Sequence, residues 1–271
     1  MSTRSKVITG VIAGFVLVLL ACGYLYWTGA IRIPRSFSLE KYDYSELTEY
    51  EPETFVPDLI LVNNEHLIGQ DYDSDIVFYR DTDVLMNSRV VDAYGELSDY
   101  IRENLNDRLY VSSTYRSYED QERVLEEEGE EIAAQPGCSE HQTGLAIDCY
   151  VMYHAGMGFI DSEAGKYVNS HCSEYGFIIR YPQGRKDITG FDYEPWHIRY
   201  VGHPHAEIIT SYDITLEEYL GYIKTGEWYR FENYVIGCCS EDDIKVPEEF
   251  AGHGLTCSRD NLGRVIIWGS V

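Results

Sequence analysis

Two stretches constrain the fold of this chain more than anything else in it: Ser139-Glu140-His141-Gln142-Thr143-Gly144-Leu145-Ala146-Ile147-Asp148 and Glu194-Pro195-Trp196-His197. Together they offer two imidazoles and one carboxylate for a metal ion, with a second carboxylate three residues before the last imidazole. That is the donor set of a catalytic zinc site, which has three protein ligands, a fourth position left for water, and a base nearby. The spacing then dictates backbone. His141 and Asp148 are seven residues apart, and on one uninterrupted strand they would face opposite ways. The chain must bend between them, and Gly144 is the residue able to bend it. This places His141 on a loop and Leu145–Tyr150 on a strand. Ala146, Asp148 and Tyr150 then share one face, and Leu145, Ile147 and Cys149 share the other. Glu194 and His197 pose the same parity problem. Pro195 has a fixed φ and no N–H, which puts Glu194 at a strand entrance. Trp196–Val201 is aromatic and β-branched, and reads as a strand with His197 and Arg199 facing the metal.

The donor set names a reaction class, hydrolysis of an amide or ester. Zinc lowers the pKa of bound water to about 7. Two neutral histidines and one aspartate leave the centre net positive and a good Lewis acid. A free carboxylate at Glu194 is placed to take the water's proton and pass it to the leaving amine. Arg116, after the apolar run Leu109-Tyr110-Val111, is placed at a strand end to stabilise an oxyanion; loss of such a donor costs about 2.7–4 kcal/mol elsewhere.

The Ser-x-His-x-x-Gly-x-Ala-x-Asp pattern, followed by Tyr193-Glu194-Pro195-Trp196-His197-Ile198-Arg199-Tyr200-Val201-Gly202, resembles the VanY-type D-alanyl-D-alanine carboxypeptidases. These are relatives of the VanX dipeptidases and of bacterial L,D-carboxypeptidases. Tyr115-Arg116-Ser117 with Gln121, and Gly176-Phe177-Ile178-Ile179-Arg180-Tyr181-Pro182, resemble further family segments. The resemblance implies one zinc ion on His141, Asp148 and His197, Glu194 as catalytic base, and Arg116 as the cation over the scissile carbonyl. Ser139, Gln121 and Ser117 are the candidate substrate contacts. The implied substrate is a peptidoglycan precursor or stem pentapeptide ending in D-Ala, and trimming it removes the terminus that glycopeptide antibiotics bind. An L,D-carboxypeptidase acting on tetrapeptides, or a non-catalytic wall-binding zinc module, are the alternatives.

The formal charge of −25 makes the chain a poor partner for nucleic acid, and that class is excluded. Val7–Trp27 is an uncharged apolar run of a length that spans about 30 Å of hydrocarbon as a helix. It reads as a transmembrane signal-anchor after a cytoplasmic tail at 1–6, with the rest of the chain extracytoplasmic. Leu19-Leu20-Ala21-Cys22 resembles a lipobox, so a lipoprotein attached through Cys22 is the alternative.

Residues 28–57 are acidic, Tyr-rich and aperiodic, and read as a tether. Residues 58–225 read as the zinc carboxypeptidase domain and 226–271 as a small C-terminal β appendage. Within the domain, Leu59–Val62 reads as a short strand. Asn87–Leu105, Ser117–Glu128, Ser162–Tyr175, Ala206–Tyr212 and Leu216–Lys224 read as helices. Phe177–Tyr181 reads as another strand. The fold class is α+β, a small mixed or antiparallel sheet flanked by helices with the zinc site on the sheet. Cys138, Cys149, Cys172, Cys238, Cys239 and Cys257 form an even set that suggests bridges in an oxidising exterior, with no pairing assigned. Cys149 is expected to point away from the metal.

Overall fold

The computed structural model describes residues 37–129 and 133–271, and within the apolar N-terminal run only Val16, Val18 and Leu20, each helical and exposed. The expected anchor, the tail at 1–6 and Cys22 otherwise lie outside the described residues. Among the described residues no helix is long and apolar enough to cross a membrane.

In chain order the strands are β1 (Glu40–Lys41), β2 (Leu47–Glu49), β3 (Ile76–Phe78), β4 (Leu85–Asn87), β5 (Tyr110–Ser113), β6 (Ala146–Tyr150), β7 (Phe177–Ile179), β8 (His197–Tyr200), β9 (Trp228–Phe231), β10 (Tyr234–Ser240), β11 (Lys245–Pro247), β12 (Thr256–Arg259) and β13 (Arg264–Ser270). The helices are α1 (Val91–Asn104), α2 (Tyr118–Glu128), α3 (Glu163–His171), α4 (Lys186–Thr189), α5 (His205–Ser211) and α6 (Leu216–Tyr222).

The sheet that carries the site is four-stranded, in the order β5-β6-β8-β7, with every neighbouring pair antiparallel. Its back is the first core. Leu145, Ile147 and Cys149 pack there against Val90, Tyr94, Leu97 and Ile101 of the α1 region, as period-2 and period-3.6 patterning demand. Asn87 caps the start of that region by accepting a hydrogen bond from Arg89 N. Gly176, at φ 78°, closes the 3-10 turn that follows α3 and hands the chain to β7. The α+β class and the antiparallel sheet with flanking helices are therefore as the sequence implied.

Two expectations are corrected. Leu59–Val62 is buried but forms no strand. Its backbone groups are satisfied by side chains and loops instead of a ladder: Arg199 donates to the carbonyls of Asp58 and Ile60, Leu59 N donates to Ser258 Oγ, and Leu61 N to Asp260 O. The part of the expected tether from Phe37 to Pro57 belongs to the compact unit Phe37–Val271. There β1 pairs with β9 and β2 with β11, and Tyr42, Tyr44, Leu47, Tyr50 and Phe55 pack on the third core. Strands of two and three residues are too short to show alternation in a sequence.

The C-terminal segment is β-rich as read, and its sheet runs β1-β9-β10-β13-β12. It shares a core with the preceding part of the chain, where Ile236, Ile266 and Trp268 meet Leu59, Ile178, Val201, Leu216 and Leu220. The bridges suggested for the six cysteines are also absent: Cys138, Cys149, Cys172, Cys238, Cys239 and Cys257 are all free and buried.

Candidate metal centre

His141 lies in the 3-10 turn Glu140–Thr143, which ends on Gly144 at φ 70°. A Cβ at Gly144 would come within 2.5 Å of Ile76 Cδ1 and 2.7 Å of Asn87 N. The turn therefore needs glycine for both conformation and space. Gly144→Ala is expected to cost at least about 1–2 kcal/mol from the left-handed backbone alone. Thermal unfolding of the variant should show a lowered Tm, and an unchanged Tm would contradict this account of the bend.

Past the bend, Asp148 on β6 stands directly opposite His197 on β8. Its carboxylate reaches both imidazoles: His141 Nε2 is 3.3 Å from Oδ2, and His197 Nδ1 is 3.0 Å from Oδ1. One donor atom from each of the three lies within 4.8 Å of the others. Close as they are, Asp148 Oδ1 makes no properly directed hydrogen bond, and neither do the buried outer nitrogens His141 Nδ1 and His197 Nε2. Cys149 sits behind this face in the core and contributes no sulfur to the cluster.

The charges fit a cation at the centre. Burial opposes ionisation of Asp148, but the two imidazoles outweigh it and hold the carboxyl far below its usual range. Burial likewise opposes charge on His197, yet the carboxylates of Asp148 and Glu140 raise its pKa to about 10. A cavity that retains a proton this strongly is electrostatically suited to a positive ion, and two nitrogens with one carboxylate oxygen match the ligand preference of zinc.

Around these donors is a cleft of 160 Å³. Glu194 enters it from the turn before β8, where His197 N donates to Glu194 O at 3.2 Å, and its Oε2 is 3.7 Å from His197 Nδ1. Burial raises the Glu194 pKa, with Asp148 and Asp192 adding to the effect and His197 opposing it. Arg116 enters from the other side. Its backbone N donates to His141 O, and its guanidinium donates to Gln121 Oε1 at 2.9 Å and Ser113 Oγ at 3.0 Å. Among the described residues no carboxylate pairs with Arg116, so its charge stays available to the cleft.

Gln121 is buried and not solvent-facing: it donates to Ala134 O while orienting Arg116. Ser139 is buried and lines the cleft. Ser117 does not line it; its hydroxyl caps α2 by accepting from Asp120 N. Arg199 shares a strand face with His197 as expected, but it is fully buried and bonded to Glu140 and to the carbonyls of Asp58 and Ile60. It has no freedom to meet a substrate. Glu140, Tyr181, Phe191 and Trp196, none of them among the site residues expected from the sequence, also line the cleft. A glutamate adjoining a candidate ligand histidine was the available signal for the first. A larger cavity of 620 Å³, bounded by Tyr72, Arg89, Arg259 and Asn261, includes none of the donor residues.

The sequence model for the family described as VanY, D-alanyl-D-alanine carboxypeptidase, matches residues 83–203. A D-alanyl-D-alanine carboxypeptidase of Enterococcus faecium is 31% identical over 244 residues, covering 77% of this chain and 77% of the relative. Among solved structures, the LD-carboxypeptidase LdcB is 33% identical with a TM-score of 0.56, over 69% of this chain and 99% of that one. A VanY D,D-pentapeptidase from a VanB-type resistance cassette, solved with Zn(II), is 32% identical with a TM-score of 0.53, over 60% of this chain and 98% of that one.

Proposed function

Because this chain belongs to the VanY family of D-alanyl-D-alanine carboxypeptidases, we propose that it is a zinc-dependent D,D-carboxypeptidase that removes the C-terminal D-Ala from peptidoglycan stem pentapeptides. The observation that carries this reading is the convergence of His141, Asp148 and His197 in one cleft that also holds Glu194 and Arg116. Zinc held by the three donors would supply Lewis acidity toward the carbonyl and an acidified water as nucleophile. Glu194 accepts the water's proton on its carboxylate and returns it to the leaving nitrogen of D-Ala. Its burial favours this, since a carboxylate starved of solvent holds a proton more readily than a free one. Arg116, preset by Gln121 and Ser113, directs its guanidinium at the oxygen where charge develops. The apolar run Val7–Trp27 would hold the domain on the outer face of the cell membrane, near its substrate; attachment through Cys22 is the other outcome.

Purified protein should cleave a defined pentapeptide ending in D-Ala-D-Ala and release D-Ala. The likeness to LdcB favours a second reading, an L,D-carboxypeptidase, and preferential cleavage of the tetrapeptide would establish that reading in place of the first.

Arg116→Lys is expected to fail although it keeps the charge. A guanidinium is a planar fork with fixed donors, whereas an ammonium is a point charge on a flexible stem. Loss of an oxyanion donor predicts a fall of about 10²–10³ in kcat. If Arg116 grips the terminal carboxylate instead, KM rises and the preference for a free C-terminus weakens. Kinetics on the pentapeptide and its C-terminal amide separate the two, and wild-type constants on both would remove Arg116 from the site.

A further inference from the structure

Glu140 follows Ser139 and precedes the donor His141, yet its side chain is turned away from solvent altogether. Two guanidiniums hold its Oε1: Arg180 Nε at 2.8 Å and an Arg199 terminal nitrogen at 3.0 Å. Each arginine is itself fully buried and anchored elsewhere. Arg180 also makes a two-point pair with Glu217 of α6, at 2.6 and 3.0 Å, and Arg199 is tied to the carbonyls of Asp58 and Ile60. Glu140 Oε1 is thus immobilised, and the position of Oε2 follows from it.

Glu140 Oε2 is 3.7 Å from His197 Nε2. Both atoms are buried, and neither has a hydrogen-bond partner among the described residues. The gap exceeds hydrogen-bond range by roughly half an ångström, a shift that a small rotation of the ring supplies. A carboxylate only accepts, so the nitrogen facing it must carry the proton, and the other ring nitrogen then presents its lone pair. That other nitrogen, Nδ1, is the one beside Asp148.

We propose that Glu140 is a positioning residue that accepts a hydrogen bond from His197 Nε2–H and so fixes the tautomer and ring orientation that offer Nδ1 to the metal, with Arg180 and Arg199 holding the carboxylate in place. This rests on His197 being a zinc ligand. The competing account is that Glu140 serves only to neutralise two buried arginines. Partners of this kind typically change metal affinity 10–100-fold when removed, whereas a carboxylate that only neutralises the arginines would leave zinc affinity near wild type when its charge is kept, as in Glu140→Asp.

Two variants separate the accounts. In Glu140→Gln one end of the amide carries NH2, which opposes either the guanidiniums or His197 Nε2–H whichever way it is turned. Glu140→Asp keeps the negative charge for the arginines but draws the carboxylate back from His197 by one methylene. Zinc affinity of the full chain, measured by chelator competition, should weaken about 10–100-fold in both variants. In the zinc-loaded wild-type protein, nitrogen NMR of the histidine rings should find His197 Nε2 protonated. Folded variants that bind zinc as tightly as wild type would overturn the proposal. So would a wild-type spectrum with Nε2 unprotonated, and that measurement decides the matter even if neither variant folds. Wild-type protein that binds no zinc would instead overturn the metal reading on which the proposal rests.

Discussion

Removal of zinc abolishes hydrolysis of the pentapeptide, and stoichiometric zinc restores it: this is the expected result for chelated and reconstituted protein. The physical reason is the lack of any other competent nucleophile among the described residues that line the cleft. Cys138 lines it, but burial raises the thiol's pKa, so little thiolate is available at neutral pH. Ser139 lines it too, but the neighbouring imidazoles of His141 and His197 are directed at Asp148 and not at its hydroxyl. A serine or cysteine mechanism needs a base within hydrogen-bond reach of the nucleophile. Turnover at the wild-type rate in protein shown to be metal-free would end the zinc mechanism. Chelation should also lower thermal stability, because a ligand that binds only the folded state stabilises it by mass action. Without a cation, the buried carboxylate of Asp148 is balanced only by the flanking imidazoles, His141 and His197.

What could be read in the sequence was what depends on neighbours along the chain. The bend at Gly144, the two faces of the strand through Asp148, and the turn at Glu194 follow from the period of a strand and from the peculiarities of glycine and proline. They arrive where expected, with Asp148 opposite His197 and Cys149 behind the sheet. What could not be read depends on partners far away in sequence. Arg199 points to the expected side of its strand, but its hydrogen bonds run to Asp58 and Ile60, about 140 positions earlier. One of those bonds satisfies the Ile60 carbonyl within Leu59–Val62, a segment that has no ladder of its own. Ser117 sits in the expected motif, and its hydroxyl is taken by a local demand, the unpaired amide of Asp120 at the start of α2. Phe37–Pro57 looks like a tether because its strands are very short. It is held by pairing with residues near the C-terminus that no local pattern reveals. Glu140 was the least visible. A glutamate in a polar turn is ordinarily a solvated charge, and only Arg180, from the chain after β7, and Arg199, from β8, make its burial tolerable.

Glu194→Gln should retain zinc and fold and lose most of its turnover. The amide is nearly isosteric with the carboxylate, so the turn that positions it, with Glu194 N bonded to Tyr181 O and His197 N to Glu194 O, is built from backbone and survives. The side chain is also not among the three donors, its nearest contact with them being 3.7 Å to His197 Nδ1. What disappears is a group able to take a proton from water and give it to the departing D-Ala nitrogen. General acid–base contributions of this kind are about 10²–10⁴-fold, and kcat should fall within that range with KM little changed, since the interaction is made with the transition state and not with bound substrate. The Gln variant also removes one negative charge from the rim of a cluster that already holds Asp148 and Glu140, so zinc affinity should change far less than turnover. Metal content, thermal unfolding and steady-state kinetics on the pentapeptide measure the three consequences separately. Near-wild-type kcat in zinc-loaded Gln variant would take Glu194 out of the proton-transfer role, and loss of zinc along with activity would place its carboxylate among the metal's ligands instead.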